Sequence, residues 1–362
     1  MAQRKPEGKL RHGWTTGACA TAATAAAYQA LVTGRFPDPV TIALPRGAEP
    51  SFDLRQKRIE DGRATASIIK DAGDDPDVTH GAEIVVTVKA APVGQGVGFA
   101  AGDGVGTVTR PGLPLGPGEP AINPGPRAMM TGVIRDLAAR LGGPADVNIT
   151  VSIPGGQALA EKTMNGRLGI EGGLSVLGTT GVVIPYSCAS WIHSIHRGID
   201  VARANGITHI AAATGSTSER AVQARYGLPD MALIDMGDFA GGVLKYLRRH
   251  PVPRLTIVGG FGKLSKLAQG HLDLHSARST LDLAALAGLV PENSAVRDKI
   301  AHANTAMEAL EIARQADMPL ADRVAAGAKE VALAALAGDV AVEVLVFDRQ
   351  GNQVGRAGDV SA

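Results

Sequence analysis

Gly172-Gly-Leu-Ser-Val-Leu-Gly-Thr-Thr-Gly181, running into Val-Val-Ile-Pro-Tyr-Ser-Cys-Ala-Ser190, is the stretch on which the fold turns. A short apolar run, 174–177, ends in Gly178, Thr179, Thr180 and Gly181, and a helical pattern follows at 189–204. That order reads as a strand handing over to a helix through a turn rich in exposed N–H groups and small hydroxyls. It recurs twice. Residues 207–213 end in Thr214-Gly215-Ser216-Thr-Ser218, and 255–258 end in Gly259-Gly-Phe-Gly262. In open α/β sheets, ligands bind at such carboxyl ends of strands. Taken singly, each turn is an ordinary strand-to-helix connection. Three in one segment predict a shared ligand cleft.

Outward from this segment the pattern alternates. Strands are expected at 174–177, 207–213, 232–236, 255–258 and 340–347. Helices are expected at 189–204, 219–226, 240–248, 294–315 and 320–336. That alternation predicts a mainly parallel sheet with helices on its faces. The first half reads differently. It has a small-residue helix at 16–31, strands at 40–44, 51–57, 63–70, 82–91 and 147–153, and a helix at 127–141. Residues 94–125 are dense in Gly and Pro and hold no long regular element. The fold class is therefore α/β, an α+β N-terminal domain (1–155) followed by an α/β C-terminal domain (156–362), with 154–173 as the boundary.

A chain of 362 residues favours two domains. With 45% hydrophobic and 20% charged residues it has the composition of an ordinary globular protein. A net charge of +1 gives no field to recruit nucleic acid or an anionic membrane, and 3% aromatics are too few for a base-stacking platform. Cys19 and Cys188 form no CxxC pair and read as reduced thiols. The Ala-rich stretch 18–30 lacks the Leu, Ile and Val of a signal peptide, and it follows a helix start at Trp14-Thr-Thr-Gly17. No uncharged apolar stretch approaches spanning length. The expectation is a cytoplasmic protein without a targeting segment.

Several motifs fail. Gly262-Lys263 is followed by Leu264 in place of Ser or Thr, so no phosphate loop is present. Gly94-Gln-Gly96-Val-Gly98 and Gly102-Asp-Gly104-Val-Gly106 lack dinucleotide-binding spacing. What survives is the block 259–276. Lys263 and Lys266, at i and i+3, face one way on a helix and suit carboxylates. His271 and His275, four apart, can share a helix face, although a pair without a third ligand suits hydrogen bonding better than metal. The acidic loop 71–77 offers oxygens to a divalent cation, or is a capped surface turn.

Read together, these segments resemble the cobalt-precorrin-5B C(1)-methyltransferase family of cobalamin biosynthesis, the CbiD-type enzymes. The resemblance covers nearly the whole chain. It rests on Leu10-Arg-His-Gly-Trp-Thr-Thr-Gly-Ala-Cys19, Lys70-Asp-Ala-Gly-Asp-Asp-Pro-Asp-Val-Thr-His-Gly81, Ile122-Asn-Pro-Gly-Pro-Arg127, Arg167-Leu-Gly-Ile170 leading into 172–181, and Gly262-Lys with Gly270-His and His275-Ser276. Gly13-Trp14 and Glu171 depart from the family pattern. The resemblance implies S-adenosylmethionine as co-substrate and a ring-contracted, cobalt-carrying tetrapyrrole as acceptor. It implies cobalt-precorrin-6A as product, with cobalt carried by the substrate and no metal bound by the enzyme. Donor binding is expected at Gly178, Thr179, Thr180, Gly181, Thr214, Gly215 and Ser216. The acceptor is expected at Lys263, Lys266, Thr15, Thr16, Asp71 and Arg127. His271 and His275 are the candidate bases, since neutral imidazole is available near neutral pH. A phosphate- or nucleotide-binding transferase and a non-catalytic corrinoid-binding protein stay open as alternatives, as does a homo-oligomer.

Overall fold

The computed structural model describes residues 8, 10–292 and 294–360. Two compact units divide the chain, Met1–Ser187 and Cys188–Ala362.

In the first unit, α1 (Thr16–Thr33) follows from its composition. Ala, Gly and Thr are small enough to be covered on every side, and the helix is buried all round. Thr15 caps it by accepting from the Ala18 N–H, and Gly34 closes it in the left-handed conformation. Inside, the Thr21 and Thr24 hydroxyls donate to the Gly17 and Ala20 carbonyls, so burial strands no donor. Beside α1 lie α2 (Pro124–Leu141) and a five-stranded sheet. Its strands are β1 (Lys57–Glu60), β2 (Arg63–Ile69), β3 (Glu83–Ala90), β4 (Val97–Ala101) and β5 (Val147–Ser152), in the order β1-β2-β3-β5-β4. Only β4 and β5 run parallel. In β3 the core side chains Ile84, Val86 and Val88 alternate with half-buried neighbours, the period-two signature of a strand with one covered face.

The run 174–177 is not a strand of the parallel sheet. Leu174 and Val176 make only isolated bridges to Val105 and Ile122, and both are buried in the core of the first unit. The same span holds Leu177, which is exposed, between Gly173 and Gly178. It is too short and too punctuated to extend a sheet. The stretch 154–173 belongs to this unit as well: Ile170 pairs with Val108, and Asn165 Nδ2 donates to the Gly173 carbonyl. The division therefore falls at Ser187/Cys188 rather than 155/156.

The second unit contains α3 (Cys188–Ala204), β6 (His209–Ala213), α4 (Ser216–Tyr226), β7 (Leu233–Asp235), α5 (Ala240–Leu247), β8 (Arg254–Gly260) and α6 (Phe261–Ala268). After two short helices come α7 (Ala306–Gln315), α8 (Leu320–Leu336), β9 (Ala341–Phe347) and β10 (Gln353–Ala357). The expected helix 294–315 is two, Ala295–Ala301 and α7, because Thr305 caps a new start by accepting from the Glu308 N–H. The sheet order is β7-β6-β8-β9-β10, parallel except for β10. Residues of β6 alternate between two cores, Ile210 and Ala212 on one face and Ala211 and Ala213 on the other. Burial on both faces is what a helix-covered parallel sheet requires. The chain leaves β6 toward β7 on one side and later places β8 on the other, so the strand order reverses at β6/β8. A crevice opens at such a reversal because the two connections diverge.

Candidate functional site

A cavity of about 720 Å³ lies at the carboxyl ends of β6, β8 and β9, where that reversal predicts one. Its walls are Thr214–Ser218 from the β6 exit, Gly260–Lys263 from β8, Phe347–Arg349 from β9, and Thr305–Met307 at the start of α7. The small hydroxyls and the N-termini of α4 and α6 follow directly from the glycine-rich exits in the sequence. Lys263 ties two exits together: its ammonium donates to the Thr214 carbonyl at 2.9 Å and pairs with Asp238 at 3.0 Å. At the far rim Asp348 holds the turn after β9 through the amides of Gln350 and Asn352 and the Asn352 side chain. Burial pushes the Asp348 carboxyl up, but those hydrogen bonds together push it further down, leaving it below the usual range.

Of the expected site residues, Thr214, Gly215, Ser216 and Lys263 meet at this cavity. Lys266 points elsewhere; its ammonium donates to the Leu274 carbonyl and staples the following loop. The expectation that His271 and His275 share a helix face fails. The helix α6 ends at Ala268, and Gly270, at φ +88°, turns the chain out of it. His271 lines a separate cavity of about 450 Å³ with Gln269 and Asp282. The Nδ1 of His275 accepts from the Ala277 N–H at 3.1 Å. A neutral imidazole in that arrangement carries its proton on Nε2, so neither nitrogen is free to take one. The geometry gives His275 a structural task and removes the motive for a base there.

The remaining expected residues lie in the first unit, where each serves the fold. Thr15 caps α1 and donates its backbone N–H to the Gly181 carbonyl, while the Thr16 hydroxyl exchanges bonds with Leu177. Gly178 (φ +123°) and Gly181 (φ +80°) hold conformations that favour glycine. A Cβ on them would meet Thr15 at 2.3 Å and Leu44 at 2.6 Å. Arg127 spends its guanidinium on the carbonyls of Ile122 and Pro120 and on Glu119. In the acidic loop, Asp71 accepts from Arg11 at 2.5 and 2.9 Å, and the hydrogen bond from that guanidinium lowers its carboxyl to about 2. Asp74 takes the Arg11 N–H, Asp75 the Tyr186 N–H, and Asp77 the buried Lys70 ammonium. These carboxylates staple the chain, and among the described residues no group of three or more metal-ligating side chains forms.

Sequence reasoning missed the β9 exit and the start of α7. Asp348-Arg-Gln-Gly351 was legible only as a turn. That it borders the cavity follows from strand order, which a sequence does not state.

The fold and this cavity define an α/β protein with a ligand crevice at a sheet switch point. The chain belongs to the CbiD family: the CbiD model matches residues 3–185 and the model for the CbiD C-terminal domain matches residues 273–358. A Brucella anthropi protein named cobalt-precorrin-5B C(1)-methyltransferase is 60% identical over 359 residues, 98% of this chain and 97% of its own. A Bradyrhizobium protein of the same name is 60% identical over 351 residues, 96% and 93% of the two chains. A cobalamin biosynthesis protein (CbiD) from Archaeoglobus fulgidus, solved at 1.9 Å, aligns over 86% of each chain at 23% identity and TM-score 0.40. No helix among the described residues is long and apolar enough to cross a membrane.

Proposed function

We propose that this chain methylates C-1 of cobalt-precorrin-5B, taking the methyl group from S-adenosylmethionine and giving cobalt-precorrin-6A. The observation that carries this is the 60% identity, over 98% of the chain, to a protein of that name. The donor binds at the switch-point cavity, against Thr214, Gly215 and Ser216. Those residues line a polar-walled space at the topological position where α/β sheets take ligands.

The chemistry asks mostly for alignment. A ring-carbon electron pair forms the new C–C bond, the S–CH₃ bond breaks, and its electron pair stays on sulfur as the thioether of S-adenosylhomocysteine. The sulfonium is already a good leaving group, so the protein's share is to hold donor and acceptor in line, an effect worth roughly 7–11 kcal/mol. Lys263 contributes by fixing the β6 exit to Asp238, so that the wall of the cavity is preformed.

The test is a turnover with ¹³C-methyl-labelled S-adenosylmethionine and cobalt-precorrin-5B, read by NMR of the product. One labelled methyl at C-1 is expected. No transfer, or a label at another ring position, refutes the reading.

A further inference from the structure

Two glycines at the cavity are not explained by the protein's own conformation or packing. Gly215 has φ 169° and ψ 167°, and Gly260 has φ −71° and ψ 150°, both extended backbone that any residue adopts. A Cβ built on either meets nothing within 4 Å. Gly259, one residue away, is different, since its Cβ would stand 2.6 Å from Thr214 Oγ1. Gly215 and Gly260 are also the N-cap residues of α4 and α6, helices of 11 and 8 residues, and neither helix has a side-chain cap. Elsewhere this protein caps with Thr15, Ser294 and Thr305. Leaving two starts bare at one cavity aims their first-turn N–H groups into it. Arg349 lines the same cavity, and no described residue pairs with its guanidinium, whereas Lys263 is matched by Asp238.

We propose that the Gly215/Gly260 edge and Arg349 form a cradle for a carboxylate, the glycines being kept so that the ligand can approach the backbone. This rests on methyl transfer taking place at this cavity. Both reactants carry the chemistry: the donor has one carboxylate at its methionyl end, and the acceptor has acetate and propionate arms. A planar guanidinium facing open N–H donors suits a carboxylate from either.

The experiment uses the full chain as wild type and as Gly215→Ala, Gly260→Ala and Arg349→Gln. Melting temperatures come first. The two alanine variants should melt at or above wild type, because Ala restricts the unfolded chain and meets no obstacle here. A clear loss of melting temperature would show that the glycines serve the fold, and would overturn the proposal. Calorimetry then uses S-adenosylhomocysteine and 5′-methylthioadenosine, which lacks the amino-acid carboxylate. If the cradle takes the donor, S-adenosylhomocysteine weakens tenfold or more in all three variants, while Arg349→Gln leaves 5′-methylthioadenosine unchanged. If it takes the acceptor, both nucleosides bind as before and the acceptor KM rises tenfold or more. Unchanged donor affinity together with unchanged acceptor KM in all three variants refutes the cradle. If wild type fails to bind S-adenosylhomocysteine, the donor placement above fails, and the acceptor KM of Arg349→Gln still decides the cradle.

Discussion

Gly13 sits where the chain crosses itself. A Cβ there would lie 2.0 Å from the Ala72 carbonyl carbon, and one on Gly73 would lie 2.2 Å from the Arg11 carbonyl oxygen. The departure from the family pattern at position 13 thus has a local cause, the close approach of two backbones. Gly13→Ala is expected to cost about 1–3 kcal/mol through overpacking, measured by urea denaturation. The neighbouring Asp71 gives a pH signature. Its carboxyl is held at about 2 by Arg11, below the value of an unfolded aspartate, so the pair contributes stability above about pH 4. That contribution is lost as pH falls through the folded value. The difference in melting temperature between wild type and Asp71→Asn should therefore be present at pH 5 and vanish toward pH 2. Its size will be small, because both side chains are solvent-exposed. At this scale the sequence was only partly legible. It showed glycines at 13, 178, 181, 215 and 260, but one letter stands for close approach, positive φ or room for a ligand. Only coordinates separate these reasons.

The helices and strands were more legible than the residues. Periodicity located α1, α8, β6 and β9 closely, because long patterned segments commit themselves locally. It failed where a single residue ends an element. Gly270 stops α6 before His271, and that alone separates the two histidines from one helix face. The sheet of the second unit carries one costly feature, Glu343, which is fully buried in β9. Its carboxylate accepts from Tyr226 at 2.5 Å and from Arg356 on the edge strand β10 at 2.7 Å. Burial and the hydrogen bond to Glu343 both push the Tyr226 hydroxyl up, keeping it a donor. Arg356→Met leaves the charge without its counter-ion and should cost about 3–5 kcal/mol. Adding Glu343→Leu should recover much of that loss, because the pair is then replaced by apolar volume. Equal stability of wild type and Arg356→Met would show that Tyr226 alone satisfies Glu343.

At the scale of the molecule, the sequence announced an α/β protein with glycine-rich strand exits, but not which exits share a sheet. The first exit, 178–181, resembles the other two in composition and lies in a different unit, because Leu174 and Val176 bury themselves against the first core. Strand order then decides the site. With β7-β6-β8-β9-β10, the exits of β6, β8 and β9 enclose one cavity. This yields a prediction that separates the two units. A ligand bound only to the folded state stabilises it by about 2.7 kcal/mol at one hundred times its Kd. If the donor binds wholly in the second unit, S-adenosylhomocysteine should slow amide exchange at 214–218, 260–263 and 347–349. Residues 178–181 and the acidic loop should exchange as before. Hydrogen-exchange mass spectrometry on the full chain reads both regions in one experiment. Protection confined to 178–181 would move the donor to the first unit and leave the switch-point cavity to the acceptor. Protection at the three strand exits alone would assign the donor to the sheet whose order created the cavity.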